Sequence, residues 1–217
     1  MRALAEAPQL LLHYTGIDYN FIMSWDYYGK EWPEVKPQVP FKQLPMMIVN
    51  DKHEICQSIA ILNFIENVAG LKLKNPIEEA KASSILQSAQ ELFIPLNPTV
   101  NFAVGDDFKK RRDDMKPFLM SRFEDLEKIL KSNEMKFFID DTPRACDFAA
   151  FHHLDLSKKL DDSVIKKFPR LEEFLKDINS IDTVKNYLSQ RPELIGVSIE
   201  PKLVIDGKAH STGTTKI

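Results

Sequence analysis

The chain has 217 residues, with 29 basic and 32 acidic side chains and a net charge of −3 at pH 7. At 43% hydrophobic and 28% charged residues it reads as a folded globular protein of one large or two small domains, not a disordered chain. A pI near 6.0 argues against nucleic acid or an anionic membrane as the main partner. No apolar run approaches the ~20 residues of a membrane span.

In chain order, Glu6 to Tyr14 reads as a helix, with Pro8 in the first turn and Gly16 as its stop. Tyr19-Asn20-Phe21-Ile22-Met23 alternates and predicts a strand. A proline-punctuated loop runs from Trp32-Pro33 through Pro37 and Pro40. Met46 to Val49 and His53 to Ile55 read as short strands joined by a turn at Asn50-Asp51-Lys52. Gln57-Ser58 then opens a helix with Ile61, Leu62, Ile65 and Ala69 at helical spacing, ending at Gly70.

The second half is helical. Phe118, Phe123, Leu126, Ile129 and Leu130 form one stripe, with Glu124 and Lys128 paired on the opposite side. Ala145 to Leu156 is nearly all apolar and reads as a buried helix, and Leu171, Phe174, Leu175 and Ile178 repeat the helical spacing after Pro169. The tail from Ser198 is polar, with a strand-like patch at Leu203-Val204-Ile205. These patterns predict an α/β domain over residues 1–72, a linker at 73–77, an all-α domain over 78–194 and a tail at 195–217.

Candidates for chemistry are few. There is neither a GxGxxG nor a GxxxxGK[ST] motif, which excludes the dinucleotide and P-loop signatures. Cys56 and Cys146 make no disulfide framework and no zinc spacing, so a reducing cytosol is expected and no metal. His152 and His153 point about 100° apart on a helix, which predicts one buried and one exposed ring. Lys109 to Arg112 is interleaved with aspartates and reads as a solvated face. Cys56 precedes a helix N-terminus, where a thiol pKa can fall, although a half-buried structural role is the plainer expectation. Cys146 belongs to the core. Gln57-Ser58 is different: unsatisfied N–H groups beside side-chain donors suit a carboxylate, with a simple N-cap role for Ser58 as the competing reading.

Three phrases occur in order: Trp32-Pro33-Glu34-Val35-Lys36, Pro40-Phe41-Lys42-Gln43-Leu44-Pro45 and Gln57-Ser58-Ile59-Ala60-Ile61. In this order and spacing they resemble the glutathione transferases, the first two being most like the sigma class. Arg2 to Glu6 and Leu10 to Thr15 look more like the mu class. The resemblance continues through Asp147-Phe148, Phe168-Pro169-Arg170-Leu171 and Gln190-Arg191-Pro192, and covers about residues 2 to 194.

The resemblance implies a thioredoxin-like α/β domain followed by an all-helical domain, in a cytoplasmic homodimer that conjugates the glutathione thiol to hydrophobic electrophiles in detoxification. Residue by residue, it makes Gln57 and Ser58 the holders of the γ-glutamyl carboxylate. Leu44 becomes the backbone partner of the cysteinyl unit, with Pro45 as a cis-proline. Trp32 and Lys36 would reach the glycyl carboxylate, Gln43 would line the groove, Phe41 would insert into the partner subunit, and Glu91 would approach the partner's glutathione. The electrophile is expected between the domains, near residues 89–102.

Two departures stand out. The family's thiol-activating tyrosine lies about four residues before the position of Arg2, ahead of Met1, so no catalytic residue is assigned. The first strand would be missing with it, and the tail patch Lys202 to Asp206 is one conceivable filler. That departure keeps open a second reading, a glutathione-binding or structural protein with little catalysis. The other departure is Arg144, which stands where the family caps its buried helix with serine or threonine, three residues before Asp147. Losing such a cap costs about 1 kcal/mol.

Overall fold

The computed structural model describes residues 3–132 and 134–212. In chain order these form α1 (Glu6–Thr15), α2 (Ser24–Tyr28), α3 (Trp32–Val35), two 3₁₀ turns (Lys36–Gln38 and Pro40–Lys42), β1 (Met46–Val49), β2 (His53–Cys56) and α4 (Ser58–Val68). The helical part holds α5 (Pro76–Glu91), α6 (Phe93–Phe102), α7 (Gly105–Ser132), α8 (Ala145–Ile165), α9 (Pro169–Asn179) and α10 (Asp182–Gln190). Three strands close the chain: β3 (Glu193–Ile195), β4 (Lys202–Ile205) and β5 (Lys208–Ser211).

α1 stops at Gly16, whose φ of 69° is the left-handed conformation that a helix C-terminus favours in glycine. β1 and β2 pair antiparallel from Met46↔Cys56 to Val49↔His53. The tight turn between them puts Asn50 and Asp51 at φ 53° and 54°, values these two residues tolerate best among those with a side chain.

Tyr19 to Met23 is not a strand. Among the described residues nothing pairs with it, and Phe21 and Ile22 stand 55% and 53% exposed. Alternation makes a segment able to join a sheet, but a strand exists only where a neighbour takes its N–H and C=O groups.

α1 and α4 lie side by side and close against α8. Leu10, Leu11, Ile61, Leu62 and Ile65 meet Phe148 and Phe151 in one core that runs on through the helical domain. Each such side chain contributes about 1.5–3 kcal/mol by leaving water. The direction of packing follows from three contacts. The Tyr14 ring, near the end of α1, lies 5.3 Å from that of Phe148. Glu66, near the end of α4, accepts from Ala145 N at the start of α8. Glu6, at the start of α1, is bridged by Arg191 to Asp155, ten residues into α8. α1 and α4 therefore run parallel to each other and opposite to α8.

α8 is enclosed by α1, α4, α5, α6, α7 and α9. For that reason His152 and His153 are both buried, at 2% and 1% exposure, contrary to the expectation of one ring in solvent. A turn of 100° on this helix leads from one neighbour to the next, not to water. Burial holds the His153 pKa well below the usual histidine range, with His152 acting in the same direction.

Lys109 to Arg112 sits in the first turns of α7, where Asp106, Asp107 and Asp113 accept from Lys109, Arg111 and Arg112 at 2.9–3.0 Å. Glu124 and Lys128 pair at 3.4 Å. Cys146 is buried in α8.

The tail differs from its reading. In place of one strand-like patch, β3, β4 and β5 form a three-stranded antiparallel sheet, with Leu194 and Leu203 buried beneath it. It joins the helical part, where Gly105 N donates to Ser198 O at 2.7 Å and Thr212 Oγ1 to Asn101 O at 2.5 Å. Lys202 to Ile205 thus pairs with its own hairpin and does not fill a slot beside β1.

Candidate functional site

The candidate site is built around the β1–β2 hairpin. Because its strands are antiparallel, the residue before β1 and the residue after β2 return to the same end. Gln57 Nε2 donates to Gln43 Oε1 at 3.3 Å across a separation of fourteen residues. Both side chains are exposed at the surface. Between them in the fold, the Leu44–Pro45 peptide is cis, and Leu44 and Pro45 are half-buried as the chain enters β1.

Gln57 is the junction residue. Its φ of 70° and ψ of 120° turn the chain sharply from β2 into α4, and no side chain caps the helix. Ser58 is the first helical residue and is buried at 5% exposure. The first intrahelical bond runs from Ile61 N to Gln57 O at 3.0 Å. The N–H groups of Ser58, Ile59 and Ala60 therefore have no acceptor within the helix. Their partial positive charge, next in sequence to the Gln57 amide and the Ser58 hydroxyl, suits a carboxylate.

α2 comes close to β2 through its last residue, Tyr28. The Tyr28 phenol lies near Glu54 and Cys56 of β2, and burial first, then Tyr27, Glu54 and Cys56, push its pKa up. This tyrosine was not singled out by sequence, since nothing in its spacing distinguishes it. Trp32 opens α3 half-buried, and Lys36 follows it exposed in the first 3₁₀ turn. The Cys56 thiol is half-buried, and burial and Glu54 raise its pKa.

Phe41 and Glu91 lie outside the groove. Phe41 is 72% exposed and has a left-handed φ of 57° inside the second 3₁₀ turn. Glu91 Oε2 accepts from Arg122 at 2.6 Å within the same chain. In the 89–102 region Ala89, Leu92, Leu96 and Val100 are fully buried in the helical core, so these positions do not line an open pocket; Ile94 and Phe102 face solvent.

Tyr14 and Tyr19 are distant in role from the groove. Tyr14 packs near the start of α8, at the opposite end of α1 and α4 from Ser58. The Tyr19 hydroxyl lies 3.1 Å from His13 Nε2 and 3.4 Å from Gln9 Oε1, and burial and Glu6 push its pKa to about 12.

A small α/β domain with a cis-proline and an open helix N-terminus, fused to a helical domain, defines the two-domain fold of the glutathione transferases. Family models confirm it: "Glutathione S-transferase, N-terminal domain" matches residues 1–67 and "Glutathione S-transferase, C-terminal domain" matches residues 96–191. The chain belongs to the glutathione S-transferase family. It is 28% identical over 197 residues to a probable glutathione S-transferase 6 of Caenorhabditis elegans, covering 89% of this chain and 94% of that one. It is 27% identical over 195 residues to the hematopoietic prostaglandin D synthase of Gallus gallus, again over 89% and 94%. Among solved structures it is similar to a monomeric glutathione S-transferase of the hookworm Necator americanus, with a TM-score of 0.77, 26% identity, and 89% and 94% of the two chains covered.

Proposed function

We propose that this chain is a glutathione transferase, an enzyme that joins the thiol of reduced glutathione to hydrophobic electrophiles. The observation that carries this is the uncapped start of α4, where Ser58 opens the helix and the Gln57 amide is held beside Gln43. In this reading they take the γ-glutamyl carboxylate. The Leu44 backbone, held by cis-Pro45, pairs with the cysteinyl backbone, and Trp32 and Lys36 receive the glycyl carboxylate.

The reaction is a nucleophilic attack. The sulfur gives up its proton to water, its lone pair forms a carbon–sulfur bond with the electrophile, and the leaving group departs with its electron pair. A free thiol with a pKa near 8.5 is only a few per cent thiolate at pH 7. Anchoring both ends of the tripeptide turns its encounter with a bound electrophile into a positioned, effectively unimolecular step.

Detoxification, a cytoplasmic site and a homodimer belong to the same reading. The exposed Phe41 ring supports the homodimer, with Glu91 on the α5 side of the interface. The sigma-like phrases support a sigma-like member with mu-like features near its N-terminus. Calorimetric titration with reduced glutathione, followed by conjugation of chlorodinitrobenzene, tests the function. Binding with turnover is expected. Binding without turnover would favour a glutathione-binding protein, and no binding would sink the reading.

A further inference from the structure

The start of α1 is held by a charge cluster that the glutathione groove does not use. Arg191 Nη1 donates to Glu6 Oε1 at 2.6 Å and its Nη2 to Asp155 Oδ2 at 2.7 Å. Tyr187 Oη donates to the other Glu6 oxygen at 3.1 Å. The side chains of Arg191 and Glu6 are only 12% and 6% exposed. Three elements meet there: α1 of the N-terminal domain, and α8 and the end of α10 of the helical domain.

The position of this cluster matters. The far ends of α1 and α4 both rest on the start of α8, through Tyr14–Phe148 and Glu66–Ala145. From Glu66 back to Ser58, and from Tyr14 back to Glu6, is about 12 Å in each helix at 1.5 Å per residue. Glu6 and Ser58 therefore lie at the same end of the paired helices, the end that carries the groove.

We propose that Arg191 is a positioning residue: by tying Glu6 to Asp155 it fixes the groove end of α1 against the helical domain, and so sets how closely a second substrate held between the domains meets bound glutathione. The inference rests on the glutathione transferase reading for the identity of that substrate. Within one chain that reading places every glutathione-holding residue in the N-terminal domain, so the clamp acts on the electrophile and on turnover, not on glutathione affinity. Arg suits the place because its rigid planar fork offers one terminal nitrogen to each carboxylate, whereas a lysine would have to reach both from a single nitrogen.

The test compares the full chain with Arg191→Lys and Asp155→Asn. Asp155→Asn leaves the Glu6–Arg191 pair standing, so a folding failure of Arg191→Lys does not remove the test. In folded variants kcat/KM for chlorodinitrobenzene is expected to fall about tenfold, with glutathione affinity within about twofold. Amide exchange at Gln9 and Leu10 should quicken about tenfold while that of Phe148 holds. Unchanged exchange at Gln9 and Leu10, or glutathione affinity falling in step with turnover, would overturn the clamp. A wild-type chain that neither binds glutathione nor turns over would remove the functional reading alone, and the exchange comparison would still decide whether Arg191 fixes this end.

Discussion

Glu66, near the end of α4, accepts a hydrogen bond at 3.1 Å from the backbone N–H of Ala145, the first residue of α8 and 79 positions further along the chain. Arg144 stands at the N-cap position and has no side-chain oxygen to offer. Asp147 reaches back to Arg144 N at 2.8 Å and also takes Phe138 N at 2.9 Å. The Arg144 guanidinium turns away to Leu71 O and to Asp140. One of the unpaired N–H groups at the start of α8 is thus satisfied by a side chain of the other domain.

Glu66→Ala should accordingly destabilise the chain by about 1–2 kcal/mol, the range of a lost cap. Glu66→Gln keeps an acceptor oxygen and should cost less than half as much. Urea unfolding followed by circular dichroism reads both. Equal midpoints for Glu66→Ala and the wild type would show that Ala145 N–H is satisfied in another way.

Removing the groove donors should weaken binding without touching the fold. Ser58→Ala and Gln57→Ala are each expected to lower glutathione affinity about 10- to 100-fold, the worth of a hydrogen bond to a charged group. Calorimetry gives the affinity and far-ultraviolet circular dichroism the helix content. Affinity within twofold of the wild type in both variants would move the carboxylate site away from α4.

Two buried groups in α8 give stability opposite dependences on pH. Burial lifts Asp147 from 3.8 to about 6, against the backbone hydrogen bonds from Phe138 and Arg144 that favour its charged form. The folded state therefore binds the proton more tightly than the unfolded chain, so this contribution is full below pH 4 and is lost as pH rises through 6. At 1.36 kcal/mol per pH unit the span is worth roughly 3 kcal/mol.

His153 works the other way. Its folded pKa lies below the usual 6.5, so the unfolded chain takes up the proton first and stability falls as pH drops below 6.5. Among the described residues its Nδ1 has no hydrogen-bond partner. Asp147→Asn should lose the gain below pH 6, and His153→Phe should lose the decline below 6.5. Unfolding free energies measured between pH 4 and 8 separate the two, and parallel curves for wild type and both variants would refute the assignment.

Phe41→Ala should shift the chain toward monomer if the exposed ring is a subunit key. Sedimentation equilibrium at micromolar concentration reads this directly. A wild-type chain that is already monomeric there would leave Phe41 without a partner subunit.

Much of this architecture was legible in the sequence. Ile61, Leu62 and Ile65 marked α4, the Asn50-Asp51 turn marked the hairpin, and the apolar run around Phe148 marked the central helix. In each case local spacing and burial agree. The failures share a cause, since each depended on a neighbour distant in sequence. Tyr19 to Met23 alternates like a strand, but pairing is not a local property. The 100° step from His152 to His153 separates core from solvent only on a helix with one buried face, and this part of α8 is surrounded by other helices. The tail sheet depends on Glu193 to Ile195 meeting Lys202 to Ile205, which no single strand pattern announces. At the site, residue types pointed to Gln57 and Ser58, whereas the Gln43–Gln57 bond and the Tyr28–Cys56 proximity came only from the folded chain.

The backbone at Gln57, with φ at 70°, is a place where glycine would sit at ease and a residue with a Cβ sits under strain of about 1 kcal/mol or more. Gln57→Gly should therefore raise the melting temperature while it removes an amide from the groove. A population of variants screened for heat resistance alone would drift toward glycine here. One screened for retention on immobilised glutathione would hold glutamine, so which residue survives reports what the screen rewarded.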